Sequence, residues 1–123
     1  MSSERVRAIR GATTVDADTV EAISPRVQEL LREIMARNGL DHDDIISVFF
    51  TATPDLTSMF PAAAAREVGF GDIPLICATE IAVVTGTAKC VRVMLHVYSS
   101  VEKSRIRHTY LHGAQGLRDD LPE

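Results

Sequence analysis

Three ionisable residues fall where strand alternation places apolar side chains. Side chains on a strand alternate between faces, so Arg10 shares its face with Val6, Ala8 and Ala12. Glu80 lies in a run with Ile76, Ala78, Ala82 and Val84 on its face, and Arg92 sits between Cys90 and Met94, opposite the wholly apolar Val91, Val93, Leu95 and Val97. A half-buried charge is costly unless something pairs with it. One reading is a purely structural salt bridge from Glu80 to Arg10 or Arg92; the other is a ligand site. Two arginines for one glutamate leave a positive charge over, and that surplus suits an anionic ligand.

Other polar and aromatic residues have ordinary readings as well as chemical ones. Tyr110 and Arg118 fit a surface tyrosine and a solvated tail arginine, Arg66 beside Glu67 an exposed helical charge, Phe60 before Pro61 a core or staple residue, and Cys77 a small buried one. The histidines suggest no metal site: His108 and His112 are four apart, but Thr109, Tyr110 and Leu111 between them lack the glutamate of HExxH. The sequence holds no GxGxxG, GxxxxGK[ST] or GxSxG pattern, so dinucleotide, phosphate-loop and serine-elbow chemistry lose their usual signals.

The elements that must position these residues follow from periodicity. Residues 5–14 alternate and predict a strand; Asp16 or Asp18 can cap a helix whose apolar stripe runs through Val20, Ile23, Val27, Leu30, Leu31, Ile34 and Met35 to a stop at Asn38-Gly39. Pro25 within that stripe allows a restart with Ser24 as cap or a kink. Residues 45–53 read as a buried strand ended by Pro54, and Pro61 opens a short alanine-rich helix over 62–68. Strands are predicted at 75–84, 89–98 and 105–112, with a turn at Thr85-Gly86-Thr87 and a mobile tail from about residue 114 to 123. Strands mixed with two helices make an α/β or α+β domain.

A chain of 123 residues fits one domain, and 46% hydrophobic residues are ample for its core. So small a domain leaves apolar surface uncovered, which favours an oligomer. With 13 basic and 17 acidic residues and a net charge of -4, the chain is no platform for nucleic acid. Eleven of the basic residues are arginine; codon bias accounts for most of that excess, while particular arginines suit carboxylate recognition. Two cysteines without CxxC spacing and an N-terminus without an apolar run predict a cytoplasmic protein with reduced thiols. No stretch reaches the roughly 20 apolar residues of a membrane span.

Taken together in order and spacing, several motifs are more specific. They are Arg7-Ala8-Ile9-Arg10-Gly11-Ala12-Thr13-Thr14, Ala52-Thr53-Pro54-Asp55-Leu56, Phe60-Pro61-Ala62, Cys77 with Glu80, Val84-Thr85-Gly86, Lys89-Cys90-Val91-Arg92-Val93-Met94, Ile106-Arg107-His108-Thr109-Tyr110-Leu111 and Leu117-Arg118. Along nearly its whole length the chain resembles the monofunctional AroH-class chorismate mutases. That resemblance implies a pseudo α/β-barrel homotrimer with active sites between subunits, and a cofactor-free rearrangement of the dicarboxylate chorismate to prephenate in aromatic amino acid biosynthesis.

By the same resemblance, Arg92 donates to the ether oxygen, Glu80 accepts from the ring hydroxyl, and Arg10 and Tyr110 hold a carboxylate. Phe60, Leu75 and Cys77 from a neighbouring subunit shape the apolar wall, with Cys77 bonding Glu80. Arg66, Leu117 and Arg118 belong to the mouth. Ala63 stands where one family member has a lysine, and Gly113 and Gly116 make the tail richer in glycine than expected. The alternatives are an imine deaminase of the trimeric family with similar architecture, and a non-catalytic trimer that binds a small carboxylate.

Overall fold

A computed structural model describes residues 4–117. Five strands form one sheet: β1 (Arg5–Thr14), β2 (Ile45–Ala52), β3 (Leu75–Thr79), β4 (Cys90–Ser99) and β5 (Thr109–Leu111). Their order is β3-β2-β4-β1-β5. The three central strands pair antiparallel, whereas β3 adds to β2 and β5 to β1 in parallel. Mixed strands with two main helices make the α+β architecture expected.

Helix α1 (Val20–Arg37) covers one face of the sheet. Its stripe of Ile23, Val27, Leu30, Leu31 and Ile34 is buried against Ile9, Val48, Phe50, Val91, Val93, Leu95 and Val97. The stripe recurs at three and four residues and the strand set at two, so each element turns one continuous apolar surface to the other. Burying each such side chain contributes about 1.5–3 kcal/mol. Gly11 lets the layers close: a Cβ there would stand 2.8 Å from the Thr109 carbonyl oxygen and 2.9 Å from Ile34 Cδ1.

Several boundaries differ from expectation for local reasons. The α1 cap is Thr19, whose side chain accepts from the Ala22 N–H at 3.1 Å. Asp16 instead pairs with Arg26, and Asp18 turns to Thr57 and Ser58. Pro25 neither restarts nor ends the helix, which runs continuously through it. Helix α2 (Pro61–Ala65) is shorter than the alanine run suggests; a wider turn, Arg66–Phe70, follows, and Gly69 at φ 99° breaks the helical path.

Strand β3 stops at Thr79. Glu80 keeps a last ladder bond, its N–H donating to the Ala52 carbonyl at 2.8 Å, after which the chain leaves the sheet and exposes Ile81, Val83 and Val84. Lys89, at φ 47°, cannot extend and so precedes β4. Strand β5 holds three residues rather than eight because residues 103–105 form a tight turn. Ala114 is fully buried and Leu117 packs beside it, while residues 118–123 of the expected tail, Arg118 included, lie outside the described residues.

Candidate active site

The face of the sheet opposite α1 carries the nominated charges. Register aligns Ala78, Thr51, Arg92, Ala12 and Tyr110 in one row across all five strands. The next row holds Ile76, Phe49, Met94 and Arg10. Arg10 and Arg92 are therefore diagonal neighbours on adjacent strands, roughly 7–8 Å apart at their Cα atoms. The period-two reading of β4 is met: its opposite side is buried throughout, while Arg92 and Met94 face outward half-buried.

Glu80 reaches this face from just beyond β3. Its Oε1 lies 3.2 Å from Arg92 Nε, with the two side chains 22% and 33% exposed. The same oxygen accepts a 2.5 Å hydrogen bond from Thr51 Oγ1. Arg92 Nε is buried and is not aligned to donate a hydrogen bond to Glu80, so the contact is an ion pair that leaves the guanidinium donors largely unspent. Oε1 is occupied twice; Oε2 has no hydrogen-bond partner among the described residues. A carboxylate fixed by one oxygen offers the other as an acceptor, and the adjacent guanidinium offers N–H groups.

A second set of side chains holds this pair in place. Thr53 Oγ1 donates to Asp55 and accepts from the Cys90 N–H at 3.0 Å, and Asp55 Oδ2 accepts from the Lys89 N–H at 2.9 Å. The hydroxyl of Thr53, and then burial opposing it more weakly, leave the Asp55 carboxyl below its ordinary range. This clamp pins the start of β4 two residues from Arg92. Asp18 does the same for the segment before Phe60, accepting from the Thr57 N–H and Oγ1 and the Ser58 N–H at 2.8–2.9 Å. Neither clamp was read from the sequence; Thr53-Pro54-Asp55, a hydroxyl two residues before an aspartate, is the one local signal that could have shown it.

Tyr110 is 2% exposed and belongs to a small cluster with Ala12, Cys90 and Ala114, against which Leu117 packs. This cluster closes the β5 end of the open face. The Cys90 thiol is pushed up chiefly by burial, which keeps it protonated and poorly nucleophilic.

The chain on its own does not bring all the nominated residues together. Glu80 and Arg92 line a cavity of about 420 Å³ with Thr53, Asp55 and Thr87, whereas Arg10 lines another of about 820 Å³ with Met94 and His108. Phe60 and Cys77 line a third, of about 370 Å³. Leu75 and Cys77 stand opposite Val48 and Phe50, on the helix side of the sheet, away from Glu80. Phe60 is 71% exposed, and Arg66 is exposed on the turn after α2. The histidines are dispersed: His42 meets Asp72, His96 approaches Ser47, His108 accepts from β1, and His112 meets Glu29.

Comparison with known proteins identifies the family. Residues 6–121 match the family described as chorismate mutase type I. The chain is 43% identical over 117 residues to chorismate mutase AroH of Bacillus subtilis (strain 168), covering 94% of this chain and 92% of that protein. It is equally similar, at 43% over 117 residues, to chorismate mutase AroH of Thermus thermophilus, covering 94% and 96% respectively. A solved structure of a chorismate mutase from Clostridium thermocellum superposes with a TM-score of 0.86 at 49% identity, over 88% of this chain and 96% of that one. By sequence and by fold, the chain belongs to the type I chorismate mutases.

Proposed function

We propose that this protein converts chorismate to prephenate at the open face of the sheet, and that Arg92 and Glu80 carry the rate enhancement. The observation that carries the reading is the Glu80 carboxylate held by Thr51 and Arg92. The reaction is an intramolecular pericyclic shift: the ether C–O bond breaks, a C–C bond forms, and no proton or other group is gained or lost. It needs no nucleophile, base or cofactor. It needs the reactive conformer held and fixed charges where charge develops. Arg92 donates to the ether oxygen as that bond lengthens, while Oε2 of Glu80 accepts from the ring hydroxyl and offsets positive character on the ring.

Arg10 and Tyr110 hold a substrate carboxylate, and Arg66, Leu117 and Arg118 form the mouth. The wall of Phe60, Leu75 and Cys77 comes from a neighbouring subunit of a homotrimer. Two features support assembly. Val6, Phe49, Ile76 and Tyr98 on the open face are 46–56% exposed, and Ile81, Val83 and Val84 beside Glu80 are 59–100% exposed. Contiguous apolar exposure of this kind marks an interaction surface. The separation of Phe60 and Cys77 from Arg92 within one protomer is what a shared site requires. We place the enzyme in the cytoplasm, where its two free cysteines stay reduced.

The test is turnover of chorismate by purified protein, with prephenate identified as product, beside Arg92→Ala. Losing a donor of this kind costs about 2.7–4 kcal/mol, or roughly 100- to 1000-fold in kcat. A folded trimer that takes up chorismate and returns it unchanged would sink the proposal, as would an Arg92→Ala enzyme altered only in KM.

A further inference from the structure

His108 is 8% exposed and stands next to the strand that carries Arg10. The ladder between β1 and β5 begins at Gly11 opposite Thr109; one residue earlier, the Arg10 backbone N–H donates to His108 Nδ1 at 3.0 Å. A side chain thus replaces the strand carbonyl that would otherwise satisfy this donor. We propose that His108 is a positioning residue for Arg10: its ring fixes the backbone from which the guanidinium reaches the substrate carboxylate. This rests on the reading that Arg10 binds that carboxylate.

The ring is itself held from both sides. On one side Thr109 enters the ladder. On the other, Asn38 at the end of α1 grips Arg107, accepting from its N–H at 2.8 Å and donating to its carbonyl at 2.9 Å. The same Asn38 amide donates to the Ile34 carbonyl at 2.9 Å, so the helix end, Arg107-His108 and Arg10 form one connected path. Because Nδ1 accepts, the neutral ring carries its proton on Nε2. Protonating Nδ1 would turn a donor toward a donor and break the contact.

Burial holds the ring's pKa below its ordinary 6.5. Arg7 and Arg10 from β1 and Glu102 and Lys103 from the following turn share its cavity, Met94 is the contribution of β4, and Arg107 precedes it in the chain. The contact is intact at neutral pH and is lost in acid.

The experiment measures KM and kcat for chorismate between about pH 5 and 8 in the wild type, His108→Asn and His108→Leu, together with nitrogen-15 shifts of the wild-type imidazole. Asparagine places an oxygen near Nδ1 and does not titrate. We expect His108→Leu to raise KM roughly five- to tenfold with little change in kcat, the value of one lost hydrogen bond. His108→Asn should keep the wild-type KM at neutral pH and lack the wild type's rise in KM in acid. The shifts should show Nδ1 without a proton. A wild-type KM in His108→Leu, an acid rise persisting in His108→Asn, or a proton on Nδ1 would each overturn the inference. If leucine prevents folding, the asparagine variant and the shifts still decide. A wild type without turnover would strike the proposed reaction instead, while the shifts continue to decide the hydrogen bond.

Discussion

Thr51→Val tests whether the orientation of Glu80 matters to the rate. Valine is nearly isosteric with threonine and favours strands, so β2 and the sheet should persist. The change removes the 2.5 Å hydrogen bond to Glu80 Oε1 and leaves Arg92 as the remaining partner at 3.2 Å. A hydrogen bond to a charged group contributes about 1.5–3 kcal/mol. Glu80 is 22% exposed, so water can take the vacated lone pair, and the lower end of that range applies. About 1.5 kcal/mol corresponds to roughly a tenfold loss of kcat, with KM little changed because the carboxylate remains present. Initial rates of chorismate loss at neutral pH, in enzyme whose thermal midpoint matches the wild type, measure this directly. A kcat within twofold of the wild type would refute the claim that Thr51 orients Glu80; a change in KM alone would mean that the hydroxyl meets the substrate itself.

Three further outcomes follow from other contacts. Gly11→Ala places a methyl 2.8 Å from the Thr109 carbonyl, which belongs to the ladder and cannot move aside; a cost of about 1–3 kcal/mol should lower the thermal midpoint by several degrees at fixed protein concentration, and an unchanged midpoint would contradict it. Asp18 has its pKa lowered below 3.8, first by the Thr57 hydroxyl, so its hold on Thr57 and Ser58 is present above 3.8 and fades as pH falls through the folded value. The protection factors of those two amides, which take out the intrinsic pH dependence of exchange, should therefore fall in acid, and in Asp18→Ala they should be low at every pH. His42 has its pKa raised above 6.5, first by the hydrogen bond to Asp72, so its contribution is complete below 6.5 and is lost as pH rises through the folded value; the difference in thermal midpoint between wild type and His42→Ala should shrink from pH 6 to pH 9, and a constant difference would disprove the linkage.

Period-two alternation made β1 and β4 legible and β-branched and aromatic density made β2 legible; the wholly apolar face opposite Arg92 admits one orientation of β4, and strand pairing sets Arg10 on the same side. Glu80 was harder. Its run of apolar neighbours reads as strand to Val84, yet the chain leaves the ladder at once and leaves Ile81, Val83 and Val84 exposed outside the core; exposed apolar residues look identical in sequence to those that serve a core. Strand β5 read too long because residues 103–105 form a tight turn and, further along, a side chain, His108, takes the place of a ladder carbonyl. The clamps of Asp18 and Asp55 join segments 34–40 residues apart, a relation that no local pattern encodes.

The pairing of the sheet also sets an order of events in synthesis. Strand β1 is completed at residue 14, but its antiparallel partner spans 90–99 and its parallel partner 109–111. The first strand must therefore wait, unpaired, until most of the chain has left the ribosome, with α1 as the one long element able to form meanwhile. Contacts so distant along the chain slow folding, since the loops they close must be ordered before they are rewarded. The row from Thr51 through Arg92 and Ala12 to Tyr110 comes together only when β5 docks, so the nascent chain has a sheet before it has a catalyst.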